Sequence, residues 1–299
     1  MKYFVARGET RRLDSRARAE LRGSYIELTD GVTHYELAGP HDGPLVVLAG
    51  GLTVPLFYWD AVAEGLQARG LRTLTYSGYG RGFSDRVHGR YDEALFVRQL
   101  GELIETVVPG ERYDLVGASM GALIALAYAA EAVTPPATLT LAGPAGLSSR
   151  PILQKVLLGN DITATILARS VGRRVLDQHT GHNVREPDRA SALAQMLSDP
   201  YSYEGSLYAF FATLRDFALS DRAELYRRAG TLGLPTLLLW GDEDDVTPIS
   251  ALDTVTSLLR PEEVQVITGC GHMVPFERPV EVTAHLAAFI ASHSGRHPS

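Results

Sequence analysis

The sequence predicts an α/β protein: an eight-stranded, mostly parallel sheet with helices on both faces and a helical insertion between strands six and seven. Two observations carry this. Short β-rich apolar runs alternate with longer helical patterns through most of the 299 residues, the sequence form of parallel strands joined by crossover helices. From about residue 148 to 230 that alternation stops in favour of several helices with no buried β run, and it resumes at Pro235 to Trp240. An insertion into one sheet explains the resumption more economically than a separate domain.

Taken in order, residues 25–28 and 32–37, joined across Asp30-Gly31, read as an opening hairpin. Residues 45–49, 71–76, 113–116, 138–141, 235–240 and 264–267 read as buried strands. Periodicity between them predicts helices over 59–69, 92–108 and 120–132, another over 250–259, and a last one from 280 to about 292. The expected organisation is an N-terminal arm (1–24), a core (25–147 and 231–292), a helical cap (148–230) and a tail (293–299).

Composition narrows the class. With 45% hydrophobic and 21% charged residues the chain is neither disordered, collagenous nor coiled coil. At this length a fold buries roughly 75% of the surface its unfolded chain exposes, so no disulfide or metal staple is needed. Cys270 is the single cysteine, which excludes an internal disulfide, and no Cys/His pattern suggests a structural zinc. A reducing, cytoplasmic location is the expectation. The net charge of −7 gives no reason to expect nucleic acid or an anionic membrane surface as partner. The uncharged run 115–130 is shorter than the ~20 residues a bilayer span needs. Residues 1–24 carry seven basic side chains against three acids, yet no apolar stretch longer than Tyr3 to Ala6. That is no secretory signal; it reads as a solvated arm or short surface helix.

Chemistry concentrates at Gly117-Ala118-Ser119-Met120-Gly121, between a buried strand and an alanine-rich helix. This is the Gly-x-Ser-x-Gly form of a nucleophile elbow. The serine must occupy a strained strand-to-helix turn, and side chains two before or two after it would strike neighbouring backbone. A serine hydroxyl is a weak nucleophile near neutral pH, so a general base and a group to hold that base are required. Among nine histidines, His272 lies in Gly269-Cys270-Gly271-His272, just past the last strand and on the same sheet edge as Ser119. His41, His88, His293 and His297 read as solvated. The loop after the preceding strand offers four acids in a row, Asp242, Glu243, Asp244 and Asp245, of which one can be aimed at His272.

On these residues the sequence resembles the α/β-hydrolase fold superfamily, in particular its cap-bearing esterase, lipase and carbon–carbon hydrolase members, over residues 24–292. The supporting segments are LVVLAGGLTVPLFYWD (45–60), LRTLTYSGYGRGFSDR (71–86), YDLVGASMG (113–121), LLLWGDEDDVTP (237–248) and GCGHMVPFERP (269–279). The family's acid follows its strand as Gly-x-x-Asp with a Pro commonly four further on. Gly241, Asp244 and Pro248 match, so the resemblance implies Asp244 as the acid, with Asp242 and Asp245 behind it. It implies an oxyanion hole from the backbone N–H groups of Met120 and Leu52, with Gly51 N–H as a rival. One departure is clear: the loop that usually reads His-Gly-x reads Gly50-Gly51-Leu52, so the side chain that normally braces it is missing. Family members with an Asp nucleophile open epoxides or displace halide, and Ser119 argues against both.

The implied activity is a serine hydrolase that cleaves an ester, thioester or related acyl bond of a small, largely apolar substrate, with no cofactor and no metal. Two alternatives keep the same residues: a thioesterase or cyclase whose partner is an acyl carrier, and a ligand receptor built on the hydrolase fold. Competing motifs are weak. Gly78-Tyr79-Gly80-Arg81-Gly82 lacks dinucleotide spacing and precedes no apolar helix. His179 and His182 have no second pair of ligands nearby, and Cys270 reads as a small buried residue. Seven of the 24 aromatics fall in residues 201–226, where even spreading would put about two. They either pack the cap helices together or line an apolar pocket, and Tyr208, Phe210 and Phe211, with Tyr58, are the expected substrate-binding residues. Trp59 reads as packing.

Overall fold

In a computed structural model, which describes residues 1–147, 161–181 and 184–295, the apolar runs assemble into one eight-stranded sheet. Its strands are β1 (Ser24–Leu28), β2 (Gly31–Ala38), β3 (Leu45–Ala49), β4 (Arg72–Tyr76), β5 (Tyr113–Ala118), β6 (Leu139–Ala142), β7 (Thr236–Gly241) and β8 (Glu263–Ile267). They lie side by side in the order β1-β2-β4-β3-β5-β6-β7-β8. The pairs β1–β2 and β2–β4 are antiparallel and the other five are parallel. Every residue of β3, β5, β6 and β7 is buried. Helices cover both faces of these strands, which is why they read as continuous apolar runs rather than alternating ones.

Register carries the functional consequence. Ala49 lies opposite Gly117, Ala118 opposite Ala142, and Gly241 opposite Ile267. The carboxyl ends of the six parallel strands therefore meet at one edge, the place where open α/β sheets gather their loops into a site.

Helices follow the predicted positions, with differences that have local causes. The segment expected as one helix over 59–69 is a 3₁₀ turn, Leu56–Trp59, leading into Asp60–Gln67. Helix Glu93–Val107 starts where the Asp92 carboxylate accepts the Leu95 N–H at 3.2 Å, an N-cap that satisfies one orphan donor. All ten residues of Met120–Ala129 are buried, which accounts for its alanines. Leu252–Leu259 follows its own 3₁₀ turn, Ile249–Ala251. A short helix not expected from the sequence, Val274–Glu277, precedes Pro279–His293. Pro279 has no N–H to continue a helix but suits the first position of a new one.

Between β6 and β7 lie Asp161–Gly181, Pro187–Ser198, Ser206–Asp216 and Ala223–Gly230, and among the described residues of 148–230 there is no strand. The expected start of this insertion at Ser148 lies outside the described residues, as do residues 296–299 of the expected tail.

The arm departs from expectation. Its helix Ser15–Ala19 buries nothing, but Phe4, Ala6 and Glu9 are buried. The Glu9 carboxylate accepts N–H groups from Ala6 (2.7 Å), Gly205 (3.0 Å) and Leu207 (2.6 Å). Arg11 pairs with Asp199, Arg12 with Glu204, Arg18 with Asp85, and Arg22 with Glu36 and Asp60. Four of the seven basic side chains are thus ion-paired among the described residues, and residues 3–12 form a strap across the start of helix Ser206–Asp216 rather than a solvated arm, while Ser15–Ala19 is the expected short surface helix. His293, expected to be solvated, is also buried, with Nε2 2.9 Å from Glu262. His297 lies outside the described residues.

Candidate active site

The turn from β5 into helix Met120–Ala129 holds Ser119 at φ 55° and ψ −116°, a conformation non-glycine residues adopt only under strain. The flanking glycines are forced by contact. A Cβ at Gly117 would stand 2.4 Å from the Gly121 carbonyl oxygen, and one at Gly121 would stand 2.3 Å from that of Ala49. The elbow can therefore lie directly against β3, with the serine hydroxyl raised over the sheet edge.

His272 arrives on the loop after β8 with its ring almost wholly buried. Its Nε2 is 2.9 Å from Ser119 Oγ and its Nδ1 is 2.8 Å from Asp244 Oδ2. Four acids compete in the loop after β7, and their hydrogen bonds separate them. Asp244 Oδ1 accepts the N–H groups of Val246 and Thr247, both at 2.8 Å. Its Oδ2 accepts the Thr247 hydroxyl at 2.7 Å as well as facing the imidazole. Asp242 instead accepts the Gly269 N–H at 2.7 Å, joining the acid loop to the histidine loop. Asp245 and Glu243 turn outward to Arg185. Thr247 is the residue sequence reasoning missed here, although the Asp-x-x-Thr spacing of a side chain that clamps its own loop was present.

Across from His272, the loop after β3 comes close to the serine: a Cβ on Gly51 would stand 3.3 Å from Ser119 Cβ. Leu52 follows, buried. Met120 is the first residue of its helix, so no preceding turn supplies a carbonyl for its N–H. Where the usual histidine is missing, a Cβ on Gly50 would lie 3.7 Å from Trp59 Nε1, a buried donor with no partner among the described residues.

The aromatic candidates divide. Tyr58 is buried against Trp59 and stacked on Phe276 at 6.1 Å, behind the histidine loop. Burial, reinforced by Cys270, Glu277 and Asp244 nearby, holds its hydroxyl well above the usual phenol range. Phe210 meets Phe211 edge-on at 5.2 Å, and Phe211 lies against Gly172 of helix Asp161–Gly181. Tyr208 packs on Tyr3, Phe4 and Tyr91, and its hydroxyl bonds both backbone groups of Gly89. Its contacts bind the arm to the insertion.

Cys270 is fully buried, and burial, with Glu277 next in effect, pushes its thiol up to about 12. Burial also raises the Glu277 carboxyl, whose Oε2 accepts the Arg185 N–H at 2.9 Å. Among the described residues no group of His, Cys, Asp and Glu is placed to hold a metal ion. His182, half of the pair weighed as a metal motif, lies outside the described residues. No described helix is long and apolar enough to cross a membrane.

Known proteins resemble the chain both in sequence and in structure. A monoacylglycerol lipase of Xenopus laevis is 26% identical over 205 residues, 66% of this chain and 60% of that protein. The chain thus matches only about 60% of that relative's length. A monoacylglycerol lipase of Mycolicibacterium smegmatis is 27% identical over 270 residues, 87% of this chain and 92% of that one. A thermophilic esterase from Thermogutta terrifontis superposes with a TM-score of 0.76 at 21% identity, covering 91% of this chain and all of that one. The sequence profile of the Alpha/beta hydrolase family matches residues 45–286, from β3 into the last helix. The chain belongs to the alpha/beta hydrolase family.

Proposed function

We propose that this protein is a serine hydrolase that cleaves the acyl bond of a small, largely apolar ester through an acyl-enzyme. The observation that carries the reading is the continuous relay Ser119 Oγ–His272 Nε2 (2.9 Å) and His272 Nδ1–Asp244 Oδ2 (2.8 Å). His272 takes the hydroxyl proton as Ser119 Oγ bonds to the substrate carbonyl carbon. It then returns that proton to the departing alcohol, and a water activated the same way releases the acid. Asp244 fixes the imidazole tautomer and stabilises the imidazolium. The N–H groups of Leu52 and Met120 meet the tetrahedral oxyanion.

The helices between β6 and β7 act in this reading as a cap that selects substrate and contributes no bond-making group. Phe210 and Phe211 line its apolar face and Tyr208 supports that lining from the arm, while Tyr58, packed behind the histidine loop, backs the site from the core side. The acyl-carrier alternative calls for a free cationic rim, and the arginines beside the acid and histidine loops are engaged already: Arg185 with Asp245 and Arg278 with Glu186. Two relatives named monoacylglycerol lipases are the reason single-chain acyl glycerols head the substrate panel.

The test is fluorophosphonate labelling in competition with esters, lactones and acyl thioesters. Labelling that is blocked best by short or single-chain esters and lost in Ser119→Ala is the expected result. Labelling that persists in Ser119→Ala overturns the assignment, and protection by thioesters alone overturns the ester preference.

A further inference from the structure

We propose that Arg81 is the positioning residue of the oxyanion loop, and that it ties this loop to the helical insertion through Thr213. The proposal rests on the serine-hydrolase reading, and it begins from a side chain that reading does not use. Arg81 is 1% exposed. Its Nε donates to the Leu52 carbonyl at 2.6 Å, its Nη1 to the Tyr79 carbonyl at 2.8 Å and its Nη2 to Thr213 Oγ1 at 2.8 Å. The guanidinium also lies over the Phe96 ring, 5.4 Å from its centroid. No carboxylate pairs with it among the described residues. A charged group buried without a counter-ion is costly, and a neutral side chain would fill the space without that cost. What the guanidinium supplies is a rigid fork of donors.

The carbonyl it grips belongs to Leu52, whose N–H is the proposed oxyanion donor. Peptide planes are stiff, so pinning the plane that follows the Leu52 Cα restricts the swing of the plane before it. Ser77 holds the other end of the loop, its hydroxyl accepting the Leu56 N–H at 3.0 Å. Gly50 offers no side chain, and the orphaned Trp59 indole N–H marks the place a brace would reach. Arg81 braces the same loop through its main chain instead.

Its third bond leaves the core. Thr213 belongs to helix Ser206–Asp216 of the insertion and donates its own hydroxyl hydrogen to the Ala209 carbonyl at 2.8 Å, so towards Arg81 it acts as acceptor. Ala209 meanwhile sits over the neighbouring turn, where a Cβ on Gly80 would stand 2.3 Å from its own. The insertion and the oxyanion loop therefore share one rigid group, and the position of the first is felt by the second.

The test uses the full chain with Arg81→Met and Thr213→Val. 4-Nitrophenyl acetate is the substrate, and a trifluoromethyl ketone captures the oxyanion as a hemiketal. Arg81→Met is expected to lower kcat by about 100-fold, with KM within about twofold and ketone affinity falling in parallel with kcat/KM. The shape of its pH profile is expected to stay that of the wild type, because the Ser119–His272–Asp244 relay is untouched. Thr213→Val, which removes the acceptor for Arg81 together with the hydroxyl's own bond to the Ala209 carbonyl at nearly constant volume, is expected to weaken the ketone by about threefold to tenfold. Wild-type ketone affinity in folded Arg81→Met overturns the proposal, as does a loss accompanied by a shifted pH profile. If Arg81→Met does not fold, unchanged ketone affinity in Thr213→Val overturns it equally. Wild-type protein that neither takes a fluorophosphonate nor hydrolyses any ester refutes the hydrolase reading itself, whereas active wild type with indistinguishable variants refutes only the role of Arg81.

Discussion

The two sides of Ser119 are built by different means. On the histidine side the bonds that hold Asp244 are local, since Val246 and Thr247 lie two and three residues along the same loop. On the side of the proposed oxyanion hole, Leu52 is held by a guanidinium 29 residues away, which in turn holds a threonine 132 residues further along the chain. A loop that satisfies its own acid depends little on its surroundings to aim that acid, although Arg185 of the insertion also grips its Glu243 and Asp245. A loop braced by a distant side chain keeps its shape only while the rest of the fold is seated. The lesson is that the relay and the oxyanion site respond to different perturbations, which makes the difference measurable.

The largest effect belongs to the relay. Ser119→Ala and His272→Ala are each expected to lower kcat/KM by ~10⁴-fold or more while leaving the fold intact, since relay members act as a unit. Asp244→Asn is expected to cost at least ~10³-fold, and Asp245→Asn, whose carboxylate points out to Arg185, less than about tenfold. A dominant loss at Asp242 or Asp245 would break the local side of the comparison.

Next comes acidity, which acts on the oxyanion side. His34 is buried, with Nε2 2.8 Å from the Arg22 carbonyl and Nδ1 3.1 Å from Ser77 Oγ, the group that holds Leu56. Burial pulls its pKa down to about 4. The unfolded chain therefore takes up this proton first as pH falls. The stabilisation is complete above pH ~6.5 and is lost between there and about pH 4, by about 3 kcal/mol in all. Denaturant melts of wild type and His34→Gln at pH 7 and pH 4.5 check this: the difference in stability between the two proteins should shrink at the lower pH. An unchanged difference would show that the fold leaves the proton affinity of His34 where it stands in the unfolded chain.

How much of this was legible in the sequence follows the same division. Gly117, Ser119 and Gly121 could be read because backbone contact leaves no freedom at the flanking positions, whereas Asp244 was singled out among four acids only by the family resemblance, through its spacing from Gly241 and Pro248. All eight strands were found within two residues at either end: the buried parallel strands at the centre leave continuous apolar runs, and the outer β1 and β2 are marked by the Asp30-Gly31 turn between them. Arg81 was in view as part of a glycine-rich loop weighed for nucleotide binding, but its partners lie in other segments, and one sequence carries no record of such pairings. Glu9 was counted only as a charge against the basic arm. The aromatics of 201–226 could be seen as an excess, but not that Tyr208 turns to the arm while Phe211 turns to helix Asp161–Gly181.

Glu9 gives the third prediction. Glu9→Ala leaves the Gly205 and Leu207 N–H groups buried without an acceptor, which is expected to cost about 2–3 kcal/mol in denaturant unfolding. Because the strap holds the helix that carries Thr213, KM for long acyl chains should rise more than kcat on an acetate falls. Equal losses on both substrates would mean that the strap acts on bond-making, through Thr213 and Arg81, rather than on substrate entry.

The smallest effect is chemical. With its thiol pushed up to about 12 and no exposed surface, Cys270 should resist alkylation at pH 8 in the native protein and react fully once unfolded. Rapid native alkylation would show that the histidine loop opens.

The most direct measurement of the central claim is the acyl-enzyme itself. Wild-type protein mixed with 4-nitrophenyl acetate, quenched in acid within the first turnover and digested, should carry an acetyl group on the peptide that contains Ser119. A burst of 4-nitrophenol should match it in amount, and both should vanish in Ser119→Ala. Undiminished turnover in Ser119→Ala, or an acetyl group on another residue in wild type, would contradict the account.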